Sequence, residues 1–354
     1  MYSLSGSESV SSNDKVLVVG PSWVGDMVMA HALYQLLLSR PDSPEIHVVA
    51  PAWSRPVLAR MPEVARSIEL PVDHGELGFS RRLQLGRMLR SESYKQAIIL
   101  PRSLKSALVP FFARVAIRTG FCGECRFGLV NDMRPFDRGI LDQTVKSFVA
   151  LGTDVNDEGY AEIPRPKLQL DGENLGRLRV KFGLKEGAAV ALMPGAEFGP
   201  AKQWPLEHYA KLASRLAAVG ISVWVLGSKK ERELGLELKR SANHTKVQNF
   251  CGKTSLGDAI DLLGAATVAV GNDSGLMHVA AAVNTHIVAI FGSTPPHFAP
   301  PLTDAKDIFF LGMGCSPCFQ RHCPLGHLRC LRDISVGSVC SAVITALGSH
   351  GTRG

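Results

Sequence analysis

Short apolar runs alternate with helix-length amphipathic stretches along this chain, and the alternation comes in two sets. In the first set "KVLVVG" (15–20) reads as a strand apolar on both faces. "DMVMAHALYQLLLSR" (26–40) then places Met27, Ala30, Leu33 and Leu37 on one helical face. "EIHVVAP" and "YKQAIILP" are further strands, with "RRLQLGRMLRSES" a helix between them. The second set runs through "GAAVALMPG", "PLEHYAKLASRLAAVG", "ISVWVLG", "SKKERELGLELKRSA", "TVAVGN" and "HIVAIFG". Strands without a polar face, separated by helices, make parallel sheets covered on both sides. The expected class is therefore α/β, with two such sheets joined by the proline-bearing stretch "IPRPKLQLDGEN" (163–174).

The chain has 354 residues, more than one ordinary core accommodates, so two domains are expected. We divide it into a loose Ser-rich tail over 1–14, a first domain over 15–170 and a second over 171–354, whose last helix could return to the first domain. No run of about 18 apolar residues marks a membrane span. The start lacks a signal-like apolar stretch, and a cytoplasmic location is expected.

The formal net charge is +7. Residues 51–150 hold 16 Lys/Arg against 9 Asp/Glu, a surplus equal to the whole excess. A basic first half suits an acidic partner: nucleic acid, an anionic membrane surface or a phosphorylated substrate. A solvated face with extra arginines is the plainer reading. Aromatics are not interleaved with the basic residues as a base-stacking surface requires, so no nucleic-acid partner is expected.

Open parallel sheets bind ligands beyond the carboxyl ends of their strands, and four such ends carry unusual residues. "GPSWVGDMV" (20–28) puts Asp26 at the mouth of a helix, either as a helix cap or as a general base. The segment lacks the middle glycine of G-x-G-x-x-G, which argues against a nicotinamide dehydrogenase. "MPGAEFGPAKQWP" (193–205) is a glycine-bearing loop in which Lys202 precedes a helix start, a suitable point charge for a diphosphate. "VLGSKKERE" (225–233) carries Ser228, a helix cap or a nucleoside contact. "GNDSGLMHVA" (271–280) turns through Asn272, Asp273, Ser274 and Gly275 into a helix, with Asp273 or Ser274 the expected cap. His278 lies one turn on. A helix start with free N–H groups and a lysine nearby favours a phosphate.

"GDMVMAHAL", "PGAEFGPAKQWP" and "NDSGLMHVAAA" together resemble the ADP-heptose:lipopolysaccharide heptosyltransferases of glycosyltransferase family 9, over about residues 15–345. The resemblance implies the GT-B type of α/β fold, two Rossmann-like domains facing across a cleft. It implies an inverting transfer of L-glycero-D-manno-heptose from ADP-heptose to the first heptose of the lipopolysaccharide inner core. Asp26 falls on the family's base and Lys202 on the residue facing the diphosphate or leaving group. Asp273 falls on the acid that holds heptose hydroxyls. Gly195, Ala196, Ser228, Ser274, Gly275, Leu276 and His278 complete the implied donor site. The basic first half supplies the acceptor side, which we assign to Arg81, Arg82 and Arg102. The acceptor is an anionic lipid at the inner membrane face, so peripheral attachment there is implied. No cofactor is required, because a helix end and Lys202 supply positive charge to the leaving group. The loop at 195–200 lacks the paired threonines of the first-heptose enzymes, and which of its atoms meet phosphate stays open. Another sugar-nucleotide enzyme of the same shape, such as a UDP-sugar 2-epimerase, and a sugar-nucleotide binding module without catalysis are the competing readings.

Cys315, Cys318, Cys323 and Cys330 fall within 16 residues beside His322 and His327. Four thiols suffice for a tetrahedral zinc, although the second pair lacks the C-x-x-C spacing of a knuckle. Structural zinc, reduced thiols and occasional disulfides are all open from the sequence.

Overall fold

The computed structural model describes residues 14–73, 75–153 and 163–351. The tail expected over 1–14 lies, but for Asp14, outside the described residues. The first sheet contains β1 (Lys15–Val19), β2 (Glu45–Ala50), β3 (Val64–Glu69), β4 (Gln96–Ile99), β5 (Ile117–Phe121) and β6 (Asp132–Arg134). Its strands are parallel and ordered β3-β2-β1-β4-β5-β6. The second sheet contains β7 (Ala189–Met193), β8 (Ser222–Val225), β9 (Val247–Asn249), β10 (Val268–Asn272), β11 (His286–Ile290) and β12 (Lys306–Phe309). Its order, β12-β11-β10-β7-β8-β9, is the same winding read from the other edge, again all parallel. Each sheet reverses its strand order once, between β1 and β4 and between β7 and β10. Those reversals are where such sheets open a crevice for ligand.

The central strands follow from their residues: β7, "AVALM", and β10, "VAVGN", are buried throughout. Flatter strands escaped the sequence pattern. β3, β6 and β12 lie at or near sheet edges with mostly half-buried or exposed residues, so no apolar run announces them.

The two halves are not separate cores. One buried apolar cluster runs from Met27, Leu33 and Val145 in the first half to Met277, Val279 and Ala280 in the second. Arg60 reaches across to Asp261, which is fully buried, with Nη2 to Oδ2 at 2.7 Å. The last helix, Val336–Gly351, packs on the helix Leu206–Ala218 and on β10 and β11. Its Val339, Val343 and Ala346 belong to the second half's core.

Candidate active site

The helix Val24–Leu38 follows β1, and the helix Gly275–Ala282 follows β10. Both therefore start at the carboxyl edge of their sheet, and the two starts meet. A Cβ on Gly275 would lie 3.0 Å from Val24 Cβ and 3.3 Å from the Gly25 nitrogen. A Cβ on Gly25 would lie 2.7 Å from His278 Cδ2. Only glycines allow this approach. Gly25→Val is expected to lower stability by about 2 kcal/mol through overpacking. Urea unfolding checks it, and an unchanged midpoint would mean the helices have room to part.

Asp26 is the third residue of its helix. The cap position is Trp23, which makes no side-chain capping bond. The capping role is thus vacant, and among the described residues no hydrogen bond or ion pair engages the Asp26 carboxylate. Burial pushes its pKa up to about 6; Lys202 pulls it down and Asp273 pushes it up. A base free of backbone donors, titrating near neutrality, is suited to taking a proton from a hydroxyl. The influence of Lys202 and Asp273 also shows that residues from both halves converge on one place.

Lys202 ends the short turn Pro200–Lys202 after β7. Its Nζ donates to Asp273 Oδ2 at 2.5 Å and lies 4.9 Å from the centre of the Phe198 ring. Asp273 is buried and also accepts from the Thr294 hydroxyl. Thr294, in "FGSTPP" after β11, was missed by the sequence reading; a Ser-Thr pair at a strand end was the available signal. Asn272 holds the loops in register: its Oδ1 accepts from the Trp204 amide at 2.9 Å and the Tyr209 hydroxyl at 3.0 Å. Its Nδ2 donates to the Pro194 and Gly195 carbonyls at 2.8 and 3.2 Å.

Ser274 occupies the cap position of the helix Gly275–Ala282 but makes no side-chain capping bond. Asp273 is committed to Lys202 and Thr294. Neither performs the capping expected of it, so the first amides of this helix face the crevice without a side-chain acceptor. Leu276 is in the same turn, half-buried. His278 is buried, and that burial lowers its pKa to about 4. As a neutral imidazole it can offer a hydrogen bond to a ligand, but not a charge.

Gly195 and Ala196 are buried at the end of β7. A Cβ on Gly195 would collide with the Glu231 carboxylate. Ser228 and Glu231 form a capping box, with the Ser228 amide donating to Glu231 Oε2 at 2.5 Å. Ser228 is thus a cap, as its local sequence suggested. Glu231, unremarked in the sequence, follows the second strand of its sheet, where a carboxylate commonly receives ribose hydroxyls.

The arginines differ in their surroundings. Arg81 is exposed and donates to the Pro71 carbonyl and Glu76. Arg82 is buried and donates through Nε to the Leu77 carbonyl at 2.7 Å. Arg102 is exposed just beyond β4, its guanidinium 4.4 Å from the centre of the Phe136 ring. Buried Arg126 braces that loop, donating to the carbonyls of Pro101 and Phe121 at 2.8 and 2.5 Å.

Among the described residues no group of three or more His, Cys, Asp or Glu side chains is arranged to hold a metal ion. The structural zinc left open at Cys315, Cys318, Cys323 and Cys330 is therefore unsupported. Cys315 is exposed and Cys330 is buried in the second half's core. Backbone amides from Leu325 to Leu328 surround Cys323 and lower its pKa.

Residues 82–329 match the family model of glycosyltransferase family 9 (heptosyltransferase). The chain is 40% identical over 346 residues to lipopolysaccharide heptosyltransferase 2 of Salmonella typhimurium, covering 95% of this chain and 99% of that one. It is 42% identical over 331 residues to lipopolysaccharide heptosyltransferase 2 of Escherichia coli, covering 91% and 95%. The solved structure of E. coli ADP-heptose lps heptosyltransferase II superposes with a TM-score of 0.85 at 38% identity, over 95% of this chain and 99% of that one.

Proposed function

We infer the reaction from one premise: this chain belongs to glycosyltransferase family 9, the heptosyltransferases, and is a glycosyltransferase of GT-B architecture. It moves a heptose from ADP-heptose to the first heptose of the lipopolysaccharide inner core. The observation that carries this reading is the convergence of Asp26, from the first half, with Lys202 and Asp273, from the second, at two abutting helix starts.

In this reading the second half holds the donor. The uncapped amides at Ser274, Gly275 and Leu276 receive the diphosphate, and Lys202 neutralises it as the leaving group departs. Asp273 and His278 hydrogen-bond the heptose and the phosphate. Gly195 and Ala196 let the nucleotide approach the end of β7, while Ser228 and Glu231 lie toward the ribose. Asp26 removes the proton of the acceptor hydroxyl, which attacks the anomeric carbon opposite the leaving diphosphate, with inversion. The first half binds the acceptor through exposed Arg81 and Arg102. Arg82 supports that face from beneath, because its guanidinium is buried. The protein works in the cytoplasm against the inner membrane, where its lipid acceptor resides.

Purified protein with ADP-heptose and a core acceptor bearing one heptose should release ADP and increase the acceptor mass by one heptose. ADP-heptose binding without mass gain on that acceptor would reject the acceptor assignment. No ADP-heptose binding at all would reject the donor site.

A further inference from the structure

A cavity of about 360 Å³ lies on the first half, lined by Arg90, Phe111, Phe112, Arg114, Val115, Ala116 and Arg118. Three guanidiniums surround it, and among the described residues none is paired with a carboxylate. Arg90 and Arg118 are held in place by carbonyls. Arg90 Nε donates to Phe112 at 2.8 Å, and Arg118 donates to Val115, Gly128 and Leu129 at 2.6, 3.2 and 2.7 Å. Three like charges around one hollow, two of them held in place, repel each other unless an anion enters. Burial already lowers the pKa of Arg118.

Exposed aromatics lie nearby: Phe111, in the lining, is 42% exposed, and Phe127, next to Gly128, is 75% exposed. Arg118 ties them together, lying 5.8 Å from the Phe111 ring centre and bonding the carbonyl of Gly128, next to Phe127. Exposed aromatic side chains beside arginines without carboxylate partners make a surface for the headgroup boundary of an anionic bilayer. Nucleic acid fits less well, because the cavity is a single hollow rather than a groove that tracks a backbone.

We propose that this face docks the protein on anionic phospholipid, with a headgroup phosphate in the arginine-lined cavity and Phe111 and Phe127 against the acyl boundary. The patch surrounds the start of β5, the end of the first sheet away from the cleft. β5 has five residues, so the cleft stands about 17 Å above the docked surface. The sugars of a membrane-anchored acceptor have to span that distance for this docking to serve the transfer. The proposal rests on the acceptor being a membrane lipid.

The test is flotation of the full chain with phosphatidylglycerol–phosphatidylcholine vesicles and with phosphatidylcholine vesicles alone. Only the first should carry the protein. Arg114→Gln should weaken that binding about fivefold, and Phe127→Ser roughly tenfold more. Neither side chain braces the fold, so the double variant should keep full turnover on a deacylated acceptor. A double variant that floats as well as the parent would overturn the proposal, as would a parent that ignores both vesicles. Phosphate saturating the Arg114 site in NMR titrations without flotation would make this a free-anion site and equally reject docking. Flotation needs neither donor nor acceptor, so failure of docking and failure of the transfer reaction are seen separately.

Discussion

Asp26→Asn should lower kcat by about 10³-fold while leaving ADP-heptose affinity nearly unchanged. The amide has almost the shape of the carboxylate, and no structural bond is lost, because the Asp26 carboxylate makes none among the described residues. What disappears is the ability to take a proton. The pH profile gives a second reading of the same group. Burial holds the pKa of Asp26 near 6, above the usual carboxylate range. Only the ionised form is a base, so kcat/KM should rise with pH up to about 6 and then level off. On the acid side it should fall about tenfold per pH unit. His278, lowered to about 4, is already neutral over that limb and cannot produce it. A parent profile flat from pH 5 to 8, or an Asn variant of parental rate, would remove Asp26 from the base role.

Lys202→Met should reduce kcat/KM by about 10²- to 10³-fold, the usual loss when one donor to developing negative charge is removed. It should also destabilise the protein by about 3 kcal/mol, because Asp273 is buried and would keep only the Thr294 hydroxyl as a partner. The two losses can be separated. Lys202→Met with Asp273→Asn removes the stranded charge along with its partner. The double variant should regain most of the lost stability, read by urea unfolding, yet none of the lost activity. Recovery of activity alongside stability would mean that Lys202 supports the fold and does not act on the leaving group.

The central strands and the loops after β1, β7 and β10 were legible because apolar runs ending in glycine and small polar residues have few other uses. The edge strands were not, since a half-buried strand has no apolar run. The roles of Asp26 and Ser274 could not be read locally. Whether a residue occupies the cap or the first turn depends on where the helix begins, and the structure moves the first helix's cap to Trp23. Thr294 and Glu231 are brought to the site from other strand ends, which only topology reveals. The burial of Arg82 was legible in principle. It shares the helical spacing of Leu85, Gly86 and Leu89, all buried, and a charge on that stripe is a core residue before it is a ligand contact.

The abutment of two helix starts through Gly25 and Gly275 makes the joint between the halves a charge-sensitive latch. Each helix brings about half a positive charge to its first turn. These like poles are held against each other by the apolar packing behind them. A diphosphate arriving beside them turns repulsion into shared attraction, so the closed joint and the loaded donor site favour each other by the same free energy. Once the nucleotide leaves, the poles again oppose each other and the joint loosens. Because ADP keeps the diphosphate after the sugar has gone, the joint stays favoured until ADP itself departs, so nucleotide release, not transfer, is the step that frees the two halves.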